Sequence, residues 1–218
     1  MATTYLQLVN DVLTRLREPT VASVSSNTYS ALVGKLVEDA KREVEDSWSW
    51  DVLRTTYTVT TSASAFNYTL TGAGTRFRLL QAMNDTSDQF MLYRPAAFMT
   101  ENLILVDTIK TGIPAYYNFN GVDSSGDSQV DVYPKPDGVY TLRFDVVKPE
   151  AELSADTDTT ELPKNPIVLL AWAKAIEERG EDGGVGVSSQ YAVAKQSLAD
   201  HIAIEAGRRP DEVNWYWT

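Results

Sequence analysis

The apolar positions of this chain change period twice. Tyr5, Leu6, Val9, Val12, Leu13 and Leu16 recur at three- and four-residue steps, which lines one face of a short helix. Glu18-Pro19 ends it, because a proline ring disfavours helical geometry in the residue before it. After a polar loop through Ser25, Ser26 and Asn27, the residues Tyr29, Leu32, Val33, Leu36, Val37, Ala40 and Val44 predict a second helix of about five turns, N-capped by Ser26 or Asn27. Its other face carries Lys35, Glu38, Asp39, Lys41, Arg42, Glu43 and Glu45, and is expected to be solvated and laced by i,i+4 pairs such as Glu38–Arg42.

From Val52 to Val147 the period shortens. VLRTTYTVTT, FNYTL, RFRLLQAM, QFMLYR, PAYYNF, QVDVY and VYTLRFDVV are short runs rich in Val, Thr, Tyr and Phe, separated by turn signals such as TGAGT, NDTSD and PKPDG. No helices alternate with them, so antiparallel pairing is predicted over βαβ units. One interruption, PAAFMTENLI, reads as a helical turn with Pro95 at its first position.

The chain then returns to helical spacing. Residues 149–162 form an acidic linker, expected to be a solvated strap rather than core. Pro166 opens IVLLAWAKAIEERG, apolar around most of its girth. Ser188 or Ser189 caps a last helix striped by Tyr191, Ala194, Leu198, Ile202 and Ala206. The prediction is an α+β fold: a split four-helix bundle, with two N-terminal and two C-terminal helices, and an inserted antiparallel β-sandwich or barrel-like domain. Residues 1–50 and 163–218 are the helical domain and 51–148 the β domain.

Composition narrows the chemistry. With 43% apolar and 22% charged residues the chain has the make-up of a folded globular protein. Its formal charge of −11 lacks the basic excess of a nucleic-acid grip. Absence of cysteine removes disulfides, thiolate nucleophiles and cysteine metal sites, and fits a reducing compartment. The single histidine, His201, forbids a multi-histidine metal site and reads as a partly buried structural residue of the last helix. The longest apolar run, Ile167 to Ala173, falls far short of the ~20 residues of a membrane helix, and the N-terminus lacks a secretory pattern. A soluble protein of a cytoplasm is expected.

Catalytic patterns are weak. TGAGT is followed by neither a Walker lysine nor GxGxxG spacing, so it reads as a hairpin turn rather than a phosphate loop. Asp123, Asp127 and Asp131 sit at even spacing, the arrangement an acid-pair hydrolase or a calcium site would use. The Ser-Ser-Gly between them favours a hairpin loop with turn-capping aspartates. We expect no enzyme activity and no cofactor. The least ordinary composition is at the end, where Arg208, Arg209, Trp215, Tyr216 and Trp217 combine residue types enriched at interfaces. Such a tail either meets a partner or folds back over its own helices.

Three stretches resemble a known family. YLQLVNDVLTRLREPTVASV, KREVEDSWSWDVLRTTYTV from Lys41, and the run from Val130 to Asn165, VDVYPKPDGVYTLRFDVVKPEAELSADTDTTELPKN, are similar to the head-to-tail adaptor proteins of tailed bacteriophages, of the type called tail tubular protein A or gatekeeper adaptor. The resemblance implies a virion protein at the head–tail junction, assembled in the bacterial host cytoplasm as a ring of twelve. It further implies a portal protein above, a tail nozzle or tail tube protein below, tail fibres as further partners, and no membrane. Duplex DNA would pass through without specific binding, and an acidic bore would repel its phosphates. The competing reading from the residues is a β-rich carbohydrate-binding module of a virion or cell surface, using Tyr116, Tyr117 and Phe119.

Overall fold

The computed structural model describes residues 2–63, 65–180 and 185–208, and the fold is α+β. In chain order come β1 (Thr3–Thr4), α1 (Tyr5–Arg15), α2 (Thr28–Ser47), β2 (Arg54–Thr60), β3 (Asn67–Thr69), β4 (Arg78–Asn84), β5 (Gln89–Phe90) and β6 (Leu92–Tyr93). There follow α3 (Ala96–Leu103), β7 (Thr111–Gly112), β8 (Tyr116–Val122), β9 (Ser128–Tyr133), β10 (Lys135–Pro136), β11 (Thr141–Val147), β12 (Thr159–Thr160), α4 (Lys164–Arg179) and α5 (Val185–Ala206). The chain divides into two compact units: Met1–Val52 with Glu150–Thr218, and Leu53–Pro149.

In the helical unit, α1 opens on a reciprocal cap: the Gln7 N–H donates to Thr4 Oγ1 (3.2 Å) and the Thr4 N–H to Gln7 Oε1 (3.1 Å). Its buried face is Tyr5, Leu8, Val9, Val12 and Leu13. Leu8 takes the place expected for Leu6, because steps of three and one from Tyr5 hold one helical face whereas Leu6 lies about 100° away. The helix stops before the predicted Glu18-Pro19. Arg17 adopts φ 59, and the N–H groups of Arg17 and Glu18 donate to the carbonyls of Thr14 (3.1 Å) and Leu13 (2.9 Å), a Schellman turn.

Asn27 caps α2, accepting from the Ser30 N–H at 2.8 Å. Ser25 and Ser26, expected in a loop, belong to a 3-10 turn spanning Val24–Ser26. The charged face of α2 corrects the sequence reading. Lys41 is 0% exposed and Glu45 is buried, because residues 150–162 lie over them as a strap that is solvated along its outer side and packed at Leu153, Thr160 and Leu162. Lys41 Nζ reaches Glu45 Oε1 (3.1 Å), the Ala151 carbonyl (2.9 Å) and Glu150 Oε2 (3.9 Å). Glu45 and Glu38 accept the N–H groups of Glu150 (3.0 Å) and Leu153 (3.1 Å), and Arg42 bridges Glu38 and Glu152. Leu153 and Leu162 are buried, and β12 pairs antiparallel with β1. The charged residues of α2 thus satisfy backbone groups of the strap as its leucines enter the core.

The third helix of this unit, α4, packs against α1, α2 and α5. It begins at Lys164, two residues before the expected Pro166, which fits within a first turn whose N–H groups are unused anyway. Gly180 ends it at φ 64. The last helix starts at Val185, so Ser188 and Ser189 lie inside it rather than capping it. Ala194 is buried, and Tyr191, Leu198, Ile202 and Ala206 are partly buried along one stripe.

The β unit contains an antiparallel sheet ordered β2-β11-β4-β5 and a mixed sheet ordered β3-β9-β8-β6, in which β6 runs parallel to β8. A short parallel pair, β7 with β10, completes it, and among the described residues no sheet closes on itself into a barrel. Val59, Ala82, Leu142, Phe144 and Val146 of the first sheet share one buried cluster with Tyr117, Val130 and Val132 of the second. The QFMLYR run divides at buried Met91: Phe90 pairs with Met83 in the first sheet and Leu92 with Tyr116 in the second. TGAGT also differs from expectation, since it joins β3 to β4, strands of different sheets, and is no hairpin turn. Pro95 caps α3 instead of opening it. Phe98 of that helix meets Tyr116 and Tyr133 edge-on at 5.7 and 5.5 Å.

Candidate functional site

The three aspartates that could have formed an acid pair are committed separately. Asp123 accepts the N–H groups of Ser125 (2.8 Å) and Asp127 (3.0 Å) and so caps the β8–β9 turn. Asp127 accepts the N–H groups of Gly72 (2.8 Å) and Gly74 (2.9 Å), which hold its carboxyl below the usual carboxylate range. The glycine loop therefore does cradle an anion, one supplied by its own chain. Positive φ at Gly72 and Gly74 permits this geometry. Asp131 is buried and accepts amide donors from Asn67 (2.8 Å) and Asn120 (2.7 Å). Among the described residues, no group of three or more His, Asp or Glu is placed to hold a metal ion, and no helix is long and apolar enough to cross a membrane.

The aromatics of the carbohydrate reading are engaged with one another. Tyr117 is 9% exposed and meets Phe144 edge-on at 6.0 Å, and Phe119 contacts Tyr117 at 5.9 Å. Tyr116 stacks on Tyr133 and lies under the Arg94 guanidinium at 4.7 Å. Tyr117 and Phe119 therefore serve the packing of the β unit.

Of the five candidate interface residues, Arg208 is described and exposed, and Arg209, Trp215, Tyr216 and Trp217 lie outside the described residues. Arg208 lines a groove of about 350 Å³ with Trp50, Val52, Pro163, His201 and Ile204, rimmed by Asp51, Glu161 and Glu205. The indole N–H of buried Trp50 donates to the Val44 carbonyl (2.8 Å), which fixes the groove floor to α2. Glu205 Oε1 accepts the Asp51 N–H. His201 is half-buried with Nδ1 2.7 Å from the Ser197 carbonyl, the structural role expected of it. Val52 and Ile204 are 48% and 66% exposed, so the walls are apolar surface open to solvent.

Two features of the surface escaped the sequence reading. Charge is segregated: the helical unit holds 11 Lys+Arg against 21 Asp+Glu, a net −10, whereas the β unit holds 8 against 9, a net −1. The bare total of −11 conceals this. In the β unit, Phe90, Leu92, Tyr93, Ile104, Leu105, Val106 and Ile113 are exposed, Leu105 by 75%. The runs FMLY and LILV were the available signal, but an apolar run reads as core unless a chain break or sheet edge is known.

Residues 3–214 match the family model described as SU10 adaptor protein. No curated protein matches the chain.

Proposed function

The chain belongs to the SU10 adaptor protein family of phage structural adaptors, and from that premise we propose that it is the head-to-tail adaptor that joins the portal to the tail as a ring of twelve around the DNA passage. The segregation of charge carries this reading furthest. A helical unit of net −10 repels duplex phosphate when repeated around a bore, so DNA slides without sticking. In this proposal residues 1–50 and 163–218 act as a split four-helix bundle that builds the ring. Residues 51–148 act as an inserted sandwich offering Phe90, Leu92, Leu105 and their exposed neighbours to the tail nozzle or tube, or to fibres. The tail with Arg208, Arg209, Trp215, Tyr216 and Trp217 anchors on the portal protein. Assembly takes place in the host cytoplasm.

Native mass measurement of the chain mixed with its cognate portal tests the proposal. Twelve adaptor copies per portal are expected, and a different number, or no complex, overturns it. Deleting residues 213–218 is expected to leave the circular dichroism spectrum unchanged and abolish portal binding; retained binding removes the tail from the anchor.

A further inference from the structure

We propose that β2 is a docking edge for a second copy of this chain, and that two β2 strands pair antiparallel about a two-fold axis at Tyr57, joining two sheets into one. The strand stands at the end of the order β2-β11-β4-β5, and among the described residues it pairs with β11 alone. Its register on β11 runs unbroken from Arg54 to Thr60. Just past the two ends, the Lys148 N–H donates to the Leu53 carbonyl (3.0 Å) and the Thr61 N–H to the Tyr140 carbonyl (2.9 Å), so the odd positions face β11. Backbone groups of the even positions, Thr56, Thr58 and Thr60 among them, therefore turn outward, and these three residues are exposed.

Folded chains blunt such edges with short strands, lysine, proline or bulges. Among the described residues, the other strands at sheet edges run two or three residues. β2 runs seven, without lysine, proline or a register shift, and its one charge stands at its first position. What it does carry is a self-complementary order. About Tyr57, RTTYTVT sets Thr56 opposite Thr58 of the second copy, Thr55 opposite Val59 and Arg54 opposite Thr60. The even pairs are those that exchange both N–H···O bonds, threonine faces threonine, and no charge faces its like. The seam lies in the unit of net −1, where two copies meet with little repulsion. Pairing about a two-fold axis differs from the head-to-tail contacts of a ring, so the inference concerns the free protein and holds whether or not the chain builds a ring.

Sedimentation of the full chain over rising concentration, with amide exchange read residue by residue, tests the pairing. The mass is expected to rise to twice that of one chain, and exchange at Thr56, Thr58 and Thr60 to slow in step with it. Thr58→Pro removes an outward N–H and no bond to β11, so the circular dichroism spectrum is expected to hold while the two-chain species disappears. Thr56→Lys with Thr58→Lys opposes like charges across the axis and is expected to abolish the pair as well. Thr56→Lys with Thr58→Glu opposes unlike charges, each beside its opposite on β11, Asp145 and Arg143, and is expected to restore it. A mass of one chain at every concentration overturns the proposal, as does a two-chain mass that the proline and the two lysines leave intact. Slowed exchange at these amides that appears only when a portal or tail protein is added assigns the edge to that protein, and overturns it too.

Discussion

Gly34 of α2 lies so close to Tyr5 of α1 that a Cβ at this position would stand 2.5 Å from the tyrosine oxygen and 2.7 Å from Val24 Cγ1. The glycine is helical, and alanine would otherwise gain about 1 kcal/mol of helix propensity. Overpacking outweighs this, and we expect Gly34→Ala to destabilise by about 1–3 kcal/mol in urea denaturation. Tyr5→Phe added to Gly34→Ala should recover only part of the loss, because Val24 remains.

Lys41 and Glu45 form a buried pair under the strap, so single and double substitutions should differ in kind. Lys41→Met leaves the Glu45 carboxylate buried without its cation and is expected to cost about 3–5 kcal/mol at pH 7. Lys41→Met with Glu45→Leu removes both charges and should cost only about 1–2 kcal/mol, the worth of the lost strap hydrogen bonds. A loss in the double variant equal to the sum of the Lys41→Met and Glu45→Leu losses would show that the charges act independently.

Stability against pH has two opposing parts. Asp127, Asp156 and Asp158 have carboxyls held below their ordinary range: Asp127 by the Gly72 and Gly74 N–H groups, Asp156 by Ser23 and the Val24 N–H, Asp158 by the N–H groups of Ala155 and Ser154. Their contribution is present above the unfolded value, 3.8, and is lost as pH falls through the lowered folded values. Burial pushes Glu45 up despite the pull of Lys41, so its protonation favours the fold as pH falls. Urea midpoints are therefore expected to be greatest on the mildly acidic side and to drop steeply below about pH 4. Asp158→Asn should flatten that drop.

Two turn positions predict effects of opposite sign. Arg17 holds φ 59 in the turn after α1, where glycine is free of strain, and Arg17→Gly is expected to raise stability by up to about 1 kcal/mol. Gly180 holds φ 64 after α4, and Gly180→Ala is expected to lower it by about 1 kcal/mol. Thermal denaturation of both variants checks the pair.

The exposed apolar set of the β unit separates folding from assembly. Leu105→Asp and Phe90→Ser should change unfolding free energy by no more than about 0.5 kcal/mol, as surface positions do. Their effect is expected in weakened capture of a tail protein by the chain, measured by co-sedimentation.

Periodicity located α1, α2 and the longer strands because each buries one face, and burial is what a repeat of 3.6 or 2 records; α4 was legible instead as an apolar run around most of its girth. It misjudged Lys41 and Glu45 because the covering strap comes from a hundred residues downstream, and a charged helix face carries no sign of what later lies on it. The glycine loop was expected to be a hairpin turn; its partner, Asp127, was beyond local inference for the same reason. As for the candidate interface, the chain's composition pointed to Arg208. The groove beside it joins Trp50 and Val52 to His201 and Ile204, about 150 positions apart, which no spacing rule could bring together.

Met91 has a role that its chemistry alone would not suggest. Its neighbours Phe90 and Leu92 belong to edge strands of different sheets, and this one buried side chain is the stitch between them. Side chains alternate faces along a strand, so a one-residue slip at either edge would expel Met91 and drive Phe90 or Leu92 inward. The offset of the two sheets is thereby set at a single residue, and the outward display of Phe90 and Leu92 follows from it.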